Sequence, residues 1–189
     1  MDNLRKFVNK IRKENGLTKE VPDFDPLNGN ANARILFVLE APGAKAVKTG
    51  YISFDNPDQS ARNFRDQLHK AEIDRGEIAI WNIVPWYLGD GNRIKAACVS
   101  DVLKGLNYLY ELIKILKKLE YIVLVGGAAR RAHTFLSHKV NIRILGCHHP
   151  SPKVVNNNPS MAEENILVFK MMKKAQHLRS QGRRGACRP

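Results

Sequence analysis

Four apolar runs constrain this chain more than any other feature: "ARILFVLE" (33–40), "EIAIWNIVPW" (77–86), "YIVLVGG" (121–127) and "VNIRILG" (140–146). The first is continuous rather than alternating, as expected of a strand buried on both faces, and the other three read as strands as well. Helical patterns separate them. "DQSARNFRDQLHKAEI" (58–73) opens on an N-cap candidate, Asp58, and carries Phe64 and Leu68 at helical spacing. Residues 99–119 set Leu103, Leu106, Leu109, Ile113 and Leu116 on one stripe. "AARRAHTFLS" follows the third run, and "NPSMAEENILVFKMMKKAQHL" (158–178) follows the fourth. An N-terminal amphipathic helix, ended by Gly16, places Leu4, Phe7, Val8 and Ile11 together. The alternation predicts an α/β protein, a three-layer α/β/α fold with a central four-stranded parallel sheet.

The chain has 189 residues, enough for one domain with a sizeable core. We expect a single domain over 1–178 and a basic tail over 179–189, with no internal repeat. Lysine and arginine number 31 against 18 acids, a net charge of +13 that argues for a polyanionic partner, nucleic acid first. Cys98, Cys147 and Cys187 form no C-x-x-C pair, so neither a zinc ribbon nor an iron–sulfur site is supported. Their wide spacing suggests reduced thiols and a cytoplasmic setting. "MDNLRKFVNKIRKE" is charged throughout and does not read as a signal peptide, and no apolar run is long enough to span a membrane.

In an open parallel sheet the C-terminal strand ends share one edge, where ligands bind. Strand one delivers "LEAPGA", strand two "WNIVPW" and strand four "GCHHPSP". Alone, each has a structural explanation: a Pro-Gly turn, an asparagine satisfying a loop, a histidine under a rigid Pro-Ser-Pro turn. Together they suit the handling of one extruded base. Phe54, in the loop 41–57, offers a ring for stacking. Asn82 has an amide that both donates and accepts along a Watson–Crick edge. His149 can donate to a departing anion. The backbone N–H groups of the "APG" turn can hold a base carbonyl. Ser151, between two prolines, can bind a phosphate. A metal at the histidine pair would need further ligands, and a Cys147 nucleophile would need an oxyanion partner that the sequence does not specify.

The set resembles the uracil-DNA glycosylase superfamily, whose members carry a G-E-x-P-G or G-Q-D-P-Y motif, a strand-end Asn and a late H-P-S-P motif. Here these stand as "LEAPG" (39–43), "IWN" (80–82) and "HPSP" (149–152), within a resemblance spanning roughly 33–160. The first motif, with "PWYLGDGNR" (85–93), is similar to the thermophilic, family-four branch. "HPSPK" is closer to the G-Q-D-P-Y and single-strand-selective branches. The resemblance implies a monofunctional hydrolase of base excision repair that flips uracil out of DNA and cuts its N-glycosidic bond. It implies catalytic roles for His149, Asn82 and Glu40, with Phe54, Asn82, Ala41 and Gly43 around the base. It also implies that the 149–156 loop enters the minor groove. Ser151, Lys153 and Val154 would then touch DNA, and Lys45 and Lys48 can neutralise phosphates. No cofactor is implied, and a monomer is expected.

Two departures bear on mechanism. The G-Q-D-P-Y branch has Asp before the motif proline and Tyr after it; here these are Ala41 and Gly43. Either water is then positioned by Glu40, Asp55 or Asn82, with Glu40 preferred for sharing the strand end, or the rate rests largely on electrostatic stabilisation of an oxocarbenium-like sugar and its leaving anion. A different target such as hypoxanthine, or a non-catalytic role binding damaged or abasic DNA, stays open. The family-four cysteine cluster is absent. The usual leucine after H-P-S-P is Lys153, followed by Val154 and Val155, either of which can serve as an apolar wedge.

Overall fold

The computed structural model describes residues 2–16, 20–89 and 95–185. Its strands are β1 (Asp23–Phe24), β2 (Ile35–Leu39), β3 (Tyr51–Ile52), β4 (Ile78–Asn82), β5 (Tyr121–Val125) and β6 (Arg143–Cys147). Its helices are α1 (Asp2–Asn15), α2 (Ala44–Thr49), α3 (Gln59–Lys70), α4 (Val99–Ile115), α5 (Gly126–Arg130), α6 (His133–Ser137) and α7 (Pro159–Gly185). The predicted four-stranded sheet forms in the order β4-β2-β5-β6, all parallel. The β1–β3 pair makes a separate small sheet.

Register decides which residues face which layer. Phe37 lies beside Ile80, and Val38 beside Trp81. Side chains alternate along a strand, so Phe37 and Trp81 point to opposite faces. On one face Phe37 meets Phe64 of α3 and Phe169 of α7 edge-on, with centroids 5.1 and 5.3 Å away. On the other, Trp81 stacks on Phe24 at 4.4 Å and tilts against Phe7 of α1 at 5.5 Å. The pairs α3–α7 and α1–α4 are thus the outer layers of the α/β/α fold. Burying each such ring stabilises the fold by about 2–3 kcal/mol before entropy is counted. The face predicted for α1 is buried at all four positions, Leu4, Phe7, Val8 and Ile11.

Other expectations need correction. The 41–57 segment is not a plain loop: it holds α2 and β3, and α2 ends at Gly50, whose φ of +80° is the left-handed conformation glycine tolerates. Leu103 lies on the exposed side of α4, 58% accessible, because the buried face runs through Val102, Leu106, Leu109, Leu112 and Ile113. "VNIRIL" was expected as a buried strand, but β6 is an edge strand with Arg143 and Gly146 exposed and only Cys147 buried. "AARRAHTFLS" breaks into α5 and α6, and α5 begins at Gly126. Helix α7 runs past Leu178 to Gly185; residues 186–189 lie outside the described residues, as do 90–93 of the "PWYLGDGNR" segment and residue 94 after it. Among the described residues no helix is long and apolar enough to cross a membrane.

Gly105 marks the closest approach of helix to strand-end backbone. A Cβ there would stand 1.7 Å from the carbonyl oxygen of Ile83, immediately beyond β4. Backbone cannot yield as a flexible side chain does, so Gly105→Ala must push α4 outward. We expect a loss of about 3 kcal/mol or more, read as a fall in the denaturant midpoint. An unchanged midpoint would show that α4 can shift freely.

Candidate active site

The β2–β4 ladder fixes the first part of the site. Leu39 pairs with Asn82. The ladder continues beyond both strands, with Ile83 N–H donating to Leu39 O (2.8 Å) and Val84 N–H to Glu40 O (2.9 Å). Glu40 and Asn82 are therefore held on adjacent chains at the same sheet edge. The Glu40 side chain is fixed as well: Oε1 accepts the Ala97 N–H at 2.9 Å, just before α4. Asn82 is only 2% exposed, and its Nδ2 has no hydrogen-bond partner among the described residues. A buried donor left unpaired costs about 1–3 kcal/mol, so such a group calls for a functional explanation.

His149 reaches the same edge from the loop after β6. Its Nδ1 accepts the Ser151 N–H at 3.1 Å. The neutral ring then carries its proton on Nε2, as a donor. Burial lowers the His149 pKa from the ordinary 6.5, against the opposing pull of Glu40 and Asp58. The imidazole is accordingly kept neutral, and the two carboxylates lie within electrostatic reach of it. Gly126, at the end of β5, makes room for the ring. Its φ is +81°, and a Cβ there would stand 3.1 Å from His149 Cβ. "GG" thus has a steric role that its sequence alone could not reveal.

The rest of the last loop is tied to α3 and α7. Asn63 of α3 donates from Nδ2 to Pro150 O at 2.9 Å and to Asn156 Oδ1 at 3.0 Å. Val154 and Val155 N–H groups donate to Ser151 O, closing a π-type turn over Pro152–Asn156. Asn165 of α7 clamps His148: its Oδ1 accepts the His148 N–H at 2.7 Å, and its Nδ2 donates to His148 O and to Gln67 Oε1, both at 3.0 Å. His148 itself contacts Glu164, Nε2 to Oε2 at 2.7 Å. Asp58 caps α3 by accepting the Ala61 N–H at 2.9 Å, as its sequence position predicts.

Phe54 is buried at the start of the segment that leads into α3. Arg75 covers it, with the guanidinium carbon 4.5 Å from the ring centroid. Arg75 also donates to Asn28 Oδ1 (2.9 Å), Asp55 Oδ2 (2.7 Å) and the buried Asp25 Oδ2 (2.6 Å). The Asp55 carboxylate is thereby engaged, with Arg65 3.6 Å from its other oxygen, which leaves Glu40 the freer of the two acids considered for water. Gly43 is the N-cap of α2, while Lys45 and Lys48 are exposed along that helix. Ala41 is partly buried. Cys147 is buried, and desolvation pushes its thiol up to about 12, against the pull of Arg130; it is no nucleophile at neutral pH. Of the two candidate wedges, Val155 is buried and Val154 is partly exposed.

A cavity of about 320 Å³ adjoins His149, lined by Gly126, Arg130, His148, Lys153 and Val154 among others. Glu40, Asn82 and Phe54 do not line it. The structure thus brings Glu40, Asn82 and His149 to one edge, with Lys153 and Val154 beside the histidine, and leaves Lys45 and Lys48 on a separate helix. Sequence reasoning missed Arg75, Asn63, Gln67 and Asn165. Each acts on a partner distant in the chain, and no local pattern announces it.

An open parallel sheet with its polar groups gathered at the strand ends is the architecture of an α/β protein that works at that edge. The chain matches the Uracil DNA glycosylase superfamily over residues 26–172, and it belongs to that superfamily. It is therefore of the DNA glycosylase class, as the strand-end motifs led us to expect. A provisionally assigned uracil DNA glycosylase from Methanosarcina acetivorans, solved by solution NMR, is similar in fold. The TM-score is 0.55 at 14% identity, covering 81% of this chain and 98% of that one. No curated protein matches the chain.

Two outcomes test this geometry. Asn165→Ala removes three hydrogen bonds from a buried site, so we expect about 2–3 kcal/mol of destabilisation by denaturant titration. For His149 the folded-state pKa is lowered, so the unfolded chain binds more protons between that value and 6.5. Stability must then rise with pH across that interval and fall on acidification. The melting temperature should drop as the pH falls below 6.5, and less steeply for His149→Gln. Equal slopes would remove His149 as the source.

Proposed function

We propose that the protein is a monofunctional DNA glycosylase that flips uracil out of DNA and hydrolyses its N-glycosidic bond, as a monomer in base excision repair. The observation that carries this reading is the buried Nδ2 of Asn82, without a hydrogen-bond partner among the described residues, at the strand end paired with Leu39, one residue before Glu40. That amide would donate to a base carbonyl, while its oxygen accepts from the base N–H. Phe54, backed by Arg75, would offer a ring to the base, and the Ala41–Gly43 turn its backbone N–H groups.

The chemistry follows from what each group can do. Breaking the bond leaves negative charge on the base and positive character on the sugar. His149, neutral with its proton on Nε2, would donate to the base carbonyl as charge builds there. A neutral donor stabilises that anion without transferring a proton outright. Glu40 would face the sugar, where its carboxylate opposes the positive charge and orients water. Ser151, Lys153 and Val154 would engage the strand around the gap left by the flipped nucleotide. The surplus of 31 basic over 18 acidic residues suits a phosphate backbone, so affinity should fall steeply with salt.

The test is base release from end-labelled DNA bearing one uracil, single- and double-stranded, read by alkali cleavage. Asn82→Ala should lower the single-turnover rate about 100-fold or more, the scale of losing a transition-state hydrogen-bond donor in a dry site. Undiminished release would remove Asn82 from the mechanism. Preference for hypoxanthine in a substrate panel would overturn the uracil assignment. Gly43, with open space about its Cα where the G-Q-D-P-Y branch carries Tyr, is the reason to run that panel.

A further inference from the structure

We propose that Lys153 captures the abasic product as a reversible imine through its Nζ. The inference rests on the glycosylase reading above, because the product of that reaction is a deoxyribose whose ring-opened form carries an aldehyde at C1′. Water remains the nucleophile of base excision, and the amine acts afterwards.

The cavity beside His149 carries the argument. Its volume, about 320 Å³, is within the range of small-molecule sites. Among its lining residues Lys153 alone bears a primary amine, and no carboxylate lines it. The other basic groups are occupied. Arg130 lies along Gly146 and reaches Cys147 O at 3.5 Å. His148 is bound to Glu164 at 2.7 Å, and His149 accepts from Ser151. Lys153 is exposed and has no partner among the described residues. Its backbone is not loose, however. It is the second residue of the turn Pro152–Asn156, which is closed onto Ser151 O by two N–H groups at 2.9 and 3.0 Å. The preceding Pro150 carbonyl is held by Asn63. An unpaired amine on a fixed turn, sharing a cavity with the histidine expected at the reacting base, is placed to meet the sugar once the base has left.

The step balances without a further reagent. The Lys153 ammonium and the C1′ aldehyde combine to a protonated imine and one water, through a carbinolamine; the C1′–O bond breaks and the C1′–N bond forms. Addition of water reverses it and restores both partners. No oxidant or reductant takes part. The capture would shield a reactive aldehyde for as long as the protein stays bound.

The experiment uses the full chain and a labelled duplex with one abasic site prepared by acid depurination. Excision is not required, so the result is independent of whether the protein releases uracil; base release is measured separately on uracil-containing DNA. Cyanoborohydride reduces any imine to a stable secondary amine, read as a slow-migrating band on a denaturing gel and mapped by peptide mass. Lys153→Arg keeps the charge and removes imine chemistry. The expected result is an adduct on Lys153 with the abasic duplex and its loss in Lys153→Arg, scored per bound duplex at saturating protein. No adduct beyond that on intact duplex, an undiminished adduct in the variant, or mapping to another lysine would each overturn the proposal.

Discussion

The β2–β4 ladder does not stop where the strands do. Its last two hydrogen bonds, to the carbonyls of Leu39 and Glu40, carry sheet order two residues into what would otherwise be loop. Each is worth about 1 kcal/mol to stability, but its larger effect is positional. Parallel pairing sets Asn82 opposite Leu39, one residue before Glu40, with no freedom to slip, because a slip of one residue would turn every buried side chain of β4 to the wrong face. Everything at the edge is arranged around that fixed pair: Ala97 is held to Glu40, His149 sits within its electric field, and the last loop folds over from the far strands.

The histidine shows how a fold can select one protonation state and one tautomer together. Desolvation keeps the ring neutral, and a single backbone N–H at Nδ1 decides where its remaining proton sits. Gly126 completes the arrangement by being absent where a side chain would be. Had any other residue followed β5 at position 126, the ring would be displaced, and backbone at φ +81° would be strained as well.

The sheet was legible in the sequence because a strand buried on both faces has a composition that little else shares. Strands β2, β4 and β5 fell where the apolar runs lie. Edge position is not what sets exposure: β4 is one edge of the sheet and is wholly buried, whereas β6, the other edge, has a run interrupted by Asn141 and Arg143 and exposes Arg143 and Gly146. Leu103 shared a stripe with buried leucines and still faces outward, since a stripe that wide includes positions on its rim. The site divided along the same line. Glu40, Asn82 and His149 could be read from their places at strand ends. Arg75, Asn63 and Asn165 could not, because each owes its role to a partner brought near only by folding. Arg75 is the clearest case: one guanidinium joins Asn28, Asp25, Asp55 and the ring of Phe54, four residues that no spacing rule connects to it.

The open edge of β6 has a consequence for how the molecule behaves in company. An unpaired parallel strand is a template onto which a second copy could add its own. Here Arg143 stands exposed on that strand, and the stem of Arg130 lies 3.5 Å from where a side chain at Gly146 would begin. Any copy approaching the edge brings the same cations with it, on a chain already at +13. Like charge guards the seam, so a surplus suited to gripping a polyanion also keeps the folded chains from zipping together into aggregates.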